Sequence, residues 1–437
     1  MKRRLYTLLT VLMLVSLLAA CQPVQAPPTP AAPATPGEPV TIKLITWATG
    51  QAVDASEKAL IENFQARNPA VTVERLQAAG ISSFPYIRGE TLTDVVGESA
   101  DFWMFKSVEH NELVDLSDLW QRTGLDKSIP ATLQAFTAVD GKQYYVPYGL
   151  GWFAIYYNKE VFERYGLTPP ATWDEFLVLC ETLKQKGETP IVIPGGDWAA
   201  TTWFDYLDLR INGAEFHRQL QGGQIPYTDE RVRSVLEAWQ TLLIGEYVHP
   251  RSPTLGMSES LGAMVRNDKG MLEKQKAAMM LVGSSQMAQL PANFQVELDF
   301  FAFPTIDPSV PRAEVMDVFS YILPRNAERP EDALAYAESV VSLEAQQAMM
   351  QADANIIPVH PGVDLAALKP EIQQGKALLD QAAAATTLYL LNTPETISGR
   401  IVSATANFLL RPEQLDEHIK RLEAARQVAV EKGDFVK

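Results

Sequence analysis

The sequence predicts an α/β protein of two lobes, carried on a leader and a tether. Three observations predict it. The body from about Val40 to Lys437 is too long for one small core. Short apolar or alternating runs, read as strands, are separated by runs with apolar residues every three or four positions, read as helices. Beyond Leu18 no apolar run is long enough to span a membrane.

Residues 1–20 read as an export signal. Lys2, Arg3 and Arg4 open it, Leu5 to Leu18 is apolar, and it ends in small residues. The apolar run is shorter than the roughly 20 residues a spanning helix needs. Residues 21–39 hold Cys21 and a series of prolines from Pro23 to Pro39. Such a segment has few backbone donors and little to bury, so it is expected to be an extended spacer.

The body then alternates. Val40 to Ala48 reads as a strand, Asp54 to Arg67 as a helix closed by Asn68-Pro69, and Val71 to Gln77 as a second strand. Ala100 to Phe105, "ADFWMF", reads as a short buried strand. Asp140-Gly141 signals a hairpin. Trp152 to Tyr157 reads as a strand and Lys159 to Tyr165 as a helix stopped by Gly166. Thr172 with Glu175 makes a capping box for a helix to about Lys186, and "TPIVIP" is the next strand. The second half is mostly helical: Trp198 to Ile211, Asp229 to Ile244, Pro330 to Val341, Pro394 to Leu409 and Pro412 to Val430. Short strands fall at Ala277 to Val282, Leu298 to Phe303 and Phe319 to Leu323.

Composition excludes several classes. The formal net charge of -16 argues against nucleic acid as a partner. Cys180 lies on the apolar side of a helical pattern and reads as a buried thiol. The histidines are scattered without metal-ligand spacing, so no metal site is expected. There is no G-x-S-x-G elbow, no Walker loop and no G-x-G-x-x-G, so neither a catalytic residue nor a cofactor is expected.

Two stretches resemble known families. Leu18-Ala19-Ala20-Cys21 resembles a bacterial lipobox, which implies acylation of Cys21 and anchoring to the lipid bilayer. "YYNKEVFERYGLTPPATWDEF" resembles the extracellular solute-binding proteins of bacterial ABC importers, the subfamily that contains maltose-binding protein. The matching residues are Tyr157, Asn158, Lys159, Gly166, Leu167, Pro169, Pro170, Thr172, Trp173, Asp174 and Glu175. "KAAMMLVGSSQMAQLP" and "FFAFPTIDPSVPRAEVMDVFSYIL" resemble two later elements of that family. One departure is that Ser284-Ser285 stands where the family usually has an aromatic after its glycine turn.

The resemblance implies a periplasmic-binding-protein-like fold, with a ligand cleft between two hinged α/β lobes. Chain crossings are expected near Tyr148 to Trp152, Pro304 to Val315 and Ile357 to Pro361. Lobe one is then 40–149 plus 314–357, and lobe two 150–313 plus 358–437. It also implies a non-enzymatic, extracytoplasmic protein, expected to be monomeric, that hands a sugar or oligosaccharide to ABC permease subunits. A polyamine or a glycerol phosphate stays open as ligand. A surface lipoprotein hydrolase and an adhesin are the other classes weighed.

Sugars are held by aromatic faces and by planar polar groups, set beyond the carboxyl ends of strands. The candidate ligand-binding residues are therefore Trp47, Asp101, Trp103, Tyr148, Trp152, Asp197, Trp198, Trp203, Ser285, Asp317 and Phe319. Trp47 and Trp103 are equally compatible with packing, and Trp203 fits a core position better.

Overall fold

A computed structural model describes residues 40–46, 51–78, 83–88, 93–264, 277–290, 297–352 and 355–436. The leader, Cys21, the proline-rich tether and Trp47 lie outside the described residues.

The body is a two-lobed α/β structure, as expected, built along one path of paired strands in the order β2-β1-β3-β8-β4-β6-β5. β1 (Val40–Thr46) is parallel to both β2 (Val71–Gln77) and β3 (Val95–Gly97). The helix Gln51–Arg67 links β1 to β2. β1 is buried without alternation at Leu44, Ile45 and Thr46, the pattern of a parallel strand covered on both faces. β8 (Ala313–Ile322) lies antiparallel to β3 and to β4 (Val146–Asn158).

β4 is the element that organises the rest. Its first half, Val146 to Trp152, pairs with β8. Its second half pairs with β6 (Ala277–Gly283) and with β7 (Leu298–Phe301). β5 (Thr189–Ile191) lies parallel to β6, and β9 (Ala384–Thr386) lies parallel to the start of β8. All residues of β4 are buried. The segment "YGLG" at its centre is where backbones crowd. Leu150 exchanges two hydrogen bonds with Ile357, at 3.0 and 2.8 Å. A Cβ on Gly149 would lie 2.2 Å from the Ile356 side chain, and one on Gly151 2.9 Å from Asp317 Cβ. Only glycine permits that approach.

The apolar interior forms two clusters. One holds Leu44, Val95, Tyr145, Trp152, Tyr321 and Tyr336. The other holds Ile155, Phe176, Trp203, Leu207, Trp239 and Phe303.

Local signals in the sequence are realised around β4. Asn158 caps the helix Lys159–Tyr165, accepting from Val161 N at 3.2 Å, and Gly166 ends it at φ 63°. Thr172 and Glu175 form the capping box of the helix Trp173–Gln185. Cys180 is buried on that helix.

Two expectations need correction. "ADFWMF" is not a strand: Asp101 caps a helix, Phe102–Glu109, accepting from Trp103 N at 3.0 Å. Short apolar runs do not separate strand from helix by periodicity, and the capping aspartate decides. Asp140-Gly141 does make a tight turn, with φ 51° and 74°, and Val139 and Lys142 exchange bonds at 3.0 Å. The preceding residues, however, belong to the helix Ala131–Thr137 rather than to a hairpin strand.

Candidate ligand cavity

A cavity of about 490 Å³ lies at the carboxyl ends of β1 and β3, beside β4 and β8. This is the position at which open α/β sheets take ligands. Thr46 ends β1, and Glu98, Ser99 and Asp101 follow β3. Val53 and Glu57 come from the helix Gln51–Arg67. Asp317, Val318, Phe319 and Ser320 come from β8, and Ser285 and Gln286 from the turn after β6. Trp198, the segment Leu388 to Leu391 and the helix Glu395–Leu410, through Ser398, Gly399 and Val402, complete the wall.

The β4–β8 register slips between Pro147 and Gly149. This bulge at Tyr148 re-aims its side chain. The Tyr148 ring packs on Tyr321 at 4.9 Å and faces Phe319 at 6.1 Å between centroids, and its hydroxyl donates to Glu57 at 3.4 Å.

Glu57 is buried and saturated. Its Oε1 also accepts from Thr46 and Tyr321, and its Oε2 accepts from Arg75 Nε at 2.6 Å. Burial raises its pKa, against the opposing pull of Arg75. The remaining carboxyls have no such cation. Asp101 is 2% exposed and is pushed up to about 7 by burial. Glu98 is raised well above the usual carboxylate range by burial and then by the charge of Asp101. Asp317 accepts from Ser285 Oγ at 3.3 Å and is raised by burial to about 6.

Of the candidate residues, Asp101, Tyr148, Trp198, Ser285, Asp317 and Phe319 come together on the cavity. Four others do not line it. Trp152 has no exposed surface: its indole packs on Phe300, and a Cβ on Gly375 would meet it at 2.4 Å. Trp203 is 1% exposed, between Phe176 and Phe303. Trp103 is half-buried with its ring edge-on to Phe84 and Phe102. Asp197 caps the 3-10 turn Trp198–Thr201, which makes it the residue that places Trp198.

Sequence reasoning missed Glu57, Glu98, Gln286 and the Leu388 to Leu391 wall. Glu57 did carry a signal, because it interrupts an apolar stripe formed by Val53, Leu60 and Phe64. The leucine wall carried none. It is held by long-range contacts, Tyr389 N donating to Asp205 at 2.7 Å and Tyr389 OH pairing with Tyr227 OH at 2.8 Å.

These features agree with the comparisons. Residues 47–347 match the family model for bacterial extracellular solute-binding proteins, and the chain belongs to that family. An uncharacterized ABC transporter extracellular-binding protein of Pyrococcus horikoshii is 24% identical, over 71% of this chain and 70% of its own. A probable sugar-binding periplasmic protein of Mesorhizobium japonicum is 35% identical over 24% of this chain and 25% of its own. Among solved structures, the bacterial solute receptor AcbH, described as having an exclusive preference for β-D-galactopyranose, superposes with a TM-score of 0.75. It is 22% identical, over 89% of this chain and 99% of its own.

Proposed function

We propose that this protein is the sugar-capturing receptor of an ABC importer, tethered to the membrane through an acylated Cys21. The cavity carries the reading. Its size falls in the roughly 300–1,000 Å³ range of small-molecule sites, and it sets an indole and two phenyl-type rings, Trp198, Tyr148 and Phe319, beside carboxyl groups. Rings of that kind cover the C–H faces of a sugar, and carboxyls take its hydroxyl protons. The sugar named for the Mesorhizobium relative's class and the galactopyranose named for AcbH support the same ligand class. No lysine, arginine or histidine lines the cavity among the described residues, which disfavours a phosphate.

In this reading the lobes are 40–149 plus 314–357 and 150–313 plus 358–437. They rock where β4, β8 and the strand-like residue Ile357 run side by side. Solute touching both lobes shifts the population toward the closed form, which a permease reads. The protein works as a monomer and leaves its ligand chemically unaltered. The tether raises its concentration at the permease.

The test is a thermal-shift and tryptophan-fluorescence screen against mono- and oligosaccharides, with the ligand recovered and analysed afterwards. A sugar that raises the melting temperature and returns unchanged supports the reading. Turnover of the sugar, or no response to any of them at millimolar concentration, overturns it.

A further inference from the structure

The hydrogen-bonding capacity of the cavity is lopsided. Its hydroxyl protons are committed inside the protein. Thr46 and Tyr148 donate to Glu57, Ser99 to the carbonyl of Val318, Ser320 to the carbonyl of Glu98, and Ser285 to Asp317. What remains is mostly acceptor, apart from the Trp198 indole N–H, the Gln286 amide and the proton that the Glu98–Asp101 pair keeps while no cation faces it. Glu98 Oε2 and Gln286 Oε1 are each shut off from solvent with no hydrogen-bond partner among the described residues. Asp101 and Asp317 add two more carboxyls, and no cation acts on either or on Glu98. Of the cavity carboxyls Arg75 compensates Glu57, and outside the cavity it also pairs with Asp54.

Buried acceptors without donors are costly. A neutral hydroxyl answers poorly here, because it brings one proton and two lone pairs that themselves need donors. An ammonium brings three donors, no acceptor and a fixed positive charge that can take the place of the proton held by the pair. We propose that the solute is an amino sugar whose protonated amine sits at the Glu98–Asp101 pair, with its ring against Trp198 and Phe319. The inference rests on the sugar reading for its ring and on the acceptor surplus for its amine.

Titration calorimetry on the mature protein at pH 7.5 separates the two. The probes are glucosamine and galactosamine, their N-acetyl and unmodified counterparts, and spermidine. An amino sugar is expected to bind about tenfold or more tighter than its N-acetyl counterpart, the scale of one added charge-assisted hydrogen bond. Asp101→Asn retains the helix cap, since asparagine caps as well as aspartate, and is expected to erase most of that preference. Glu98→Gln is expected to do the same. Equal binding of amine and neutral forms overturns the inference and leaves the sugar reading standing. Binding of spermidine without any sugar overturns both the sugar reading and the amino-sugar inference. No binding of any amine overturns the inference whatever the neutral sugars do. The wild-type comparison decides the matter even where a variant fails to fold.

Discussion

Trp152 and Trp198 are opposite in role, and paired alanine variants separate them. Trp152 has no exposed surface, lies against Phe300 and presses on the Cα of Gly375 in the helix Pro370–Asp380. Removing it deletes an indole from a packed interior that cannot collapse around the gap without moving β4. A buried tryptophan cut to alanine costs about 3–5 kcal/mol. Trp198 is half-buried, lines the cavity and sits on a 3-10 turn capped by Asp197. It packs on the edge of both apolar clusters, so its removal costs some stability, but the turn's cap stays in place. The loss there is expected in ligand affinity, about 1–3 kcal/mol for a buried aromatic contact. Urea denaturation followed by far-UV circular dichroism reads the first quantity, and titration calorimetry with the sugar found in the screen reads the second. Trp152→Ala should lose stability, and whatever remains folded should bind normally. Trp198→Ala should weaken binding while losing much less stability than Trp152→Ala. A Trp152→Ala protein of unchanged stability and weakened binding would refute the placement of that indole in the core.

Three further outcomes follow from buried polar groups. His217 is buried, and although burial alone would lower its pKa, Asp205 and Asp208, at 3.5 and 2.8 Å, raise it to about 9. The folded state thus holds a proton that the unfolded chain releases near pH 6.5. Its stabilisation is complete below that value and is lost as pH rises through about 9, so the melting temperature should fall over this window in wild type and more gently in His217→Gln. Asp101 and Asp317 are acids raised to about 7 and about 6, so the empty folded state holds protons that the unfolded chain has released. Their contribution to stability declines between roughly pH 4 and 7, and Asp101→Asn should flatten that decline in a pH series of thermal scans. Arg210 and Glu314 form a buried ion pair at 2.7 Å, and Tyr206 and Arg312 also reach the carboxylate. Arg210→Met should destabilise by about 3–5 kcal/mol, measured by denaturant titration, and a change under 1 kcal/mol would contradict the pairing.

The legible parts of this molecule are those governed by neighbours in the chain. The Thr172 and Glu175 capping box and the stop at Gly166 each act within a few residues and are legible in the sequence; the Asn158 cap is as local but was not read. The glycines of "YGLG" had no local reason in the sequence, because the reason is Ile356, some two hundred residues away. "ADFWMF" misled because its apolar density fits a strand or a buried helix equally well. At the cavity, polar and aromatic residues at strand ends were found, namely Asp101, Tyr148, Ser285, Asp317 and Phe319. Trp152 was put forward for its place at the expected hinge and Trp203 for its type, although a core position fitted it better; neither ground says which side of a strand or helix faces the gap. Leu388, Leu390 and Leu391 were invisible because an apolar wall on a single 3-10 turn has no periodicity to betray it.

The strand order has a consequence for how the chain matures. β8 lies between β3 and β4, yet it comes more than a hundred and fifty residues after β4 in the chain. Until Ala313 to Ile322 has been synthesised, β3 and β4 have no common neighbour and the first sheet stays open. Closure waits on a distant segment, which makes it slow compared with local helix formation. A polypeptide made in this order lacks its completed first sheet for most of its synthesis.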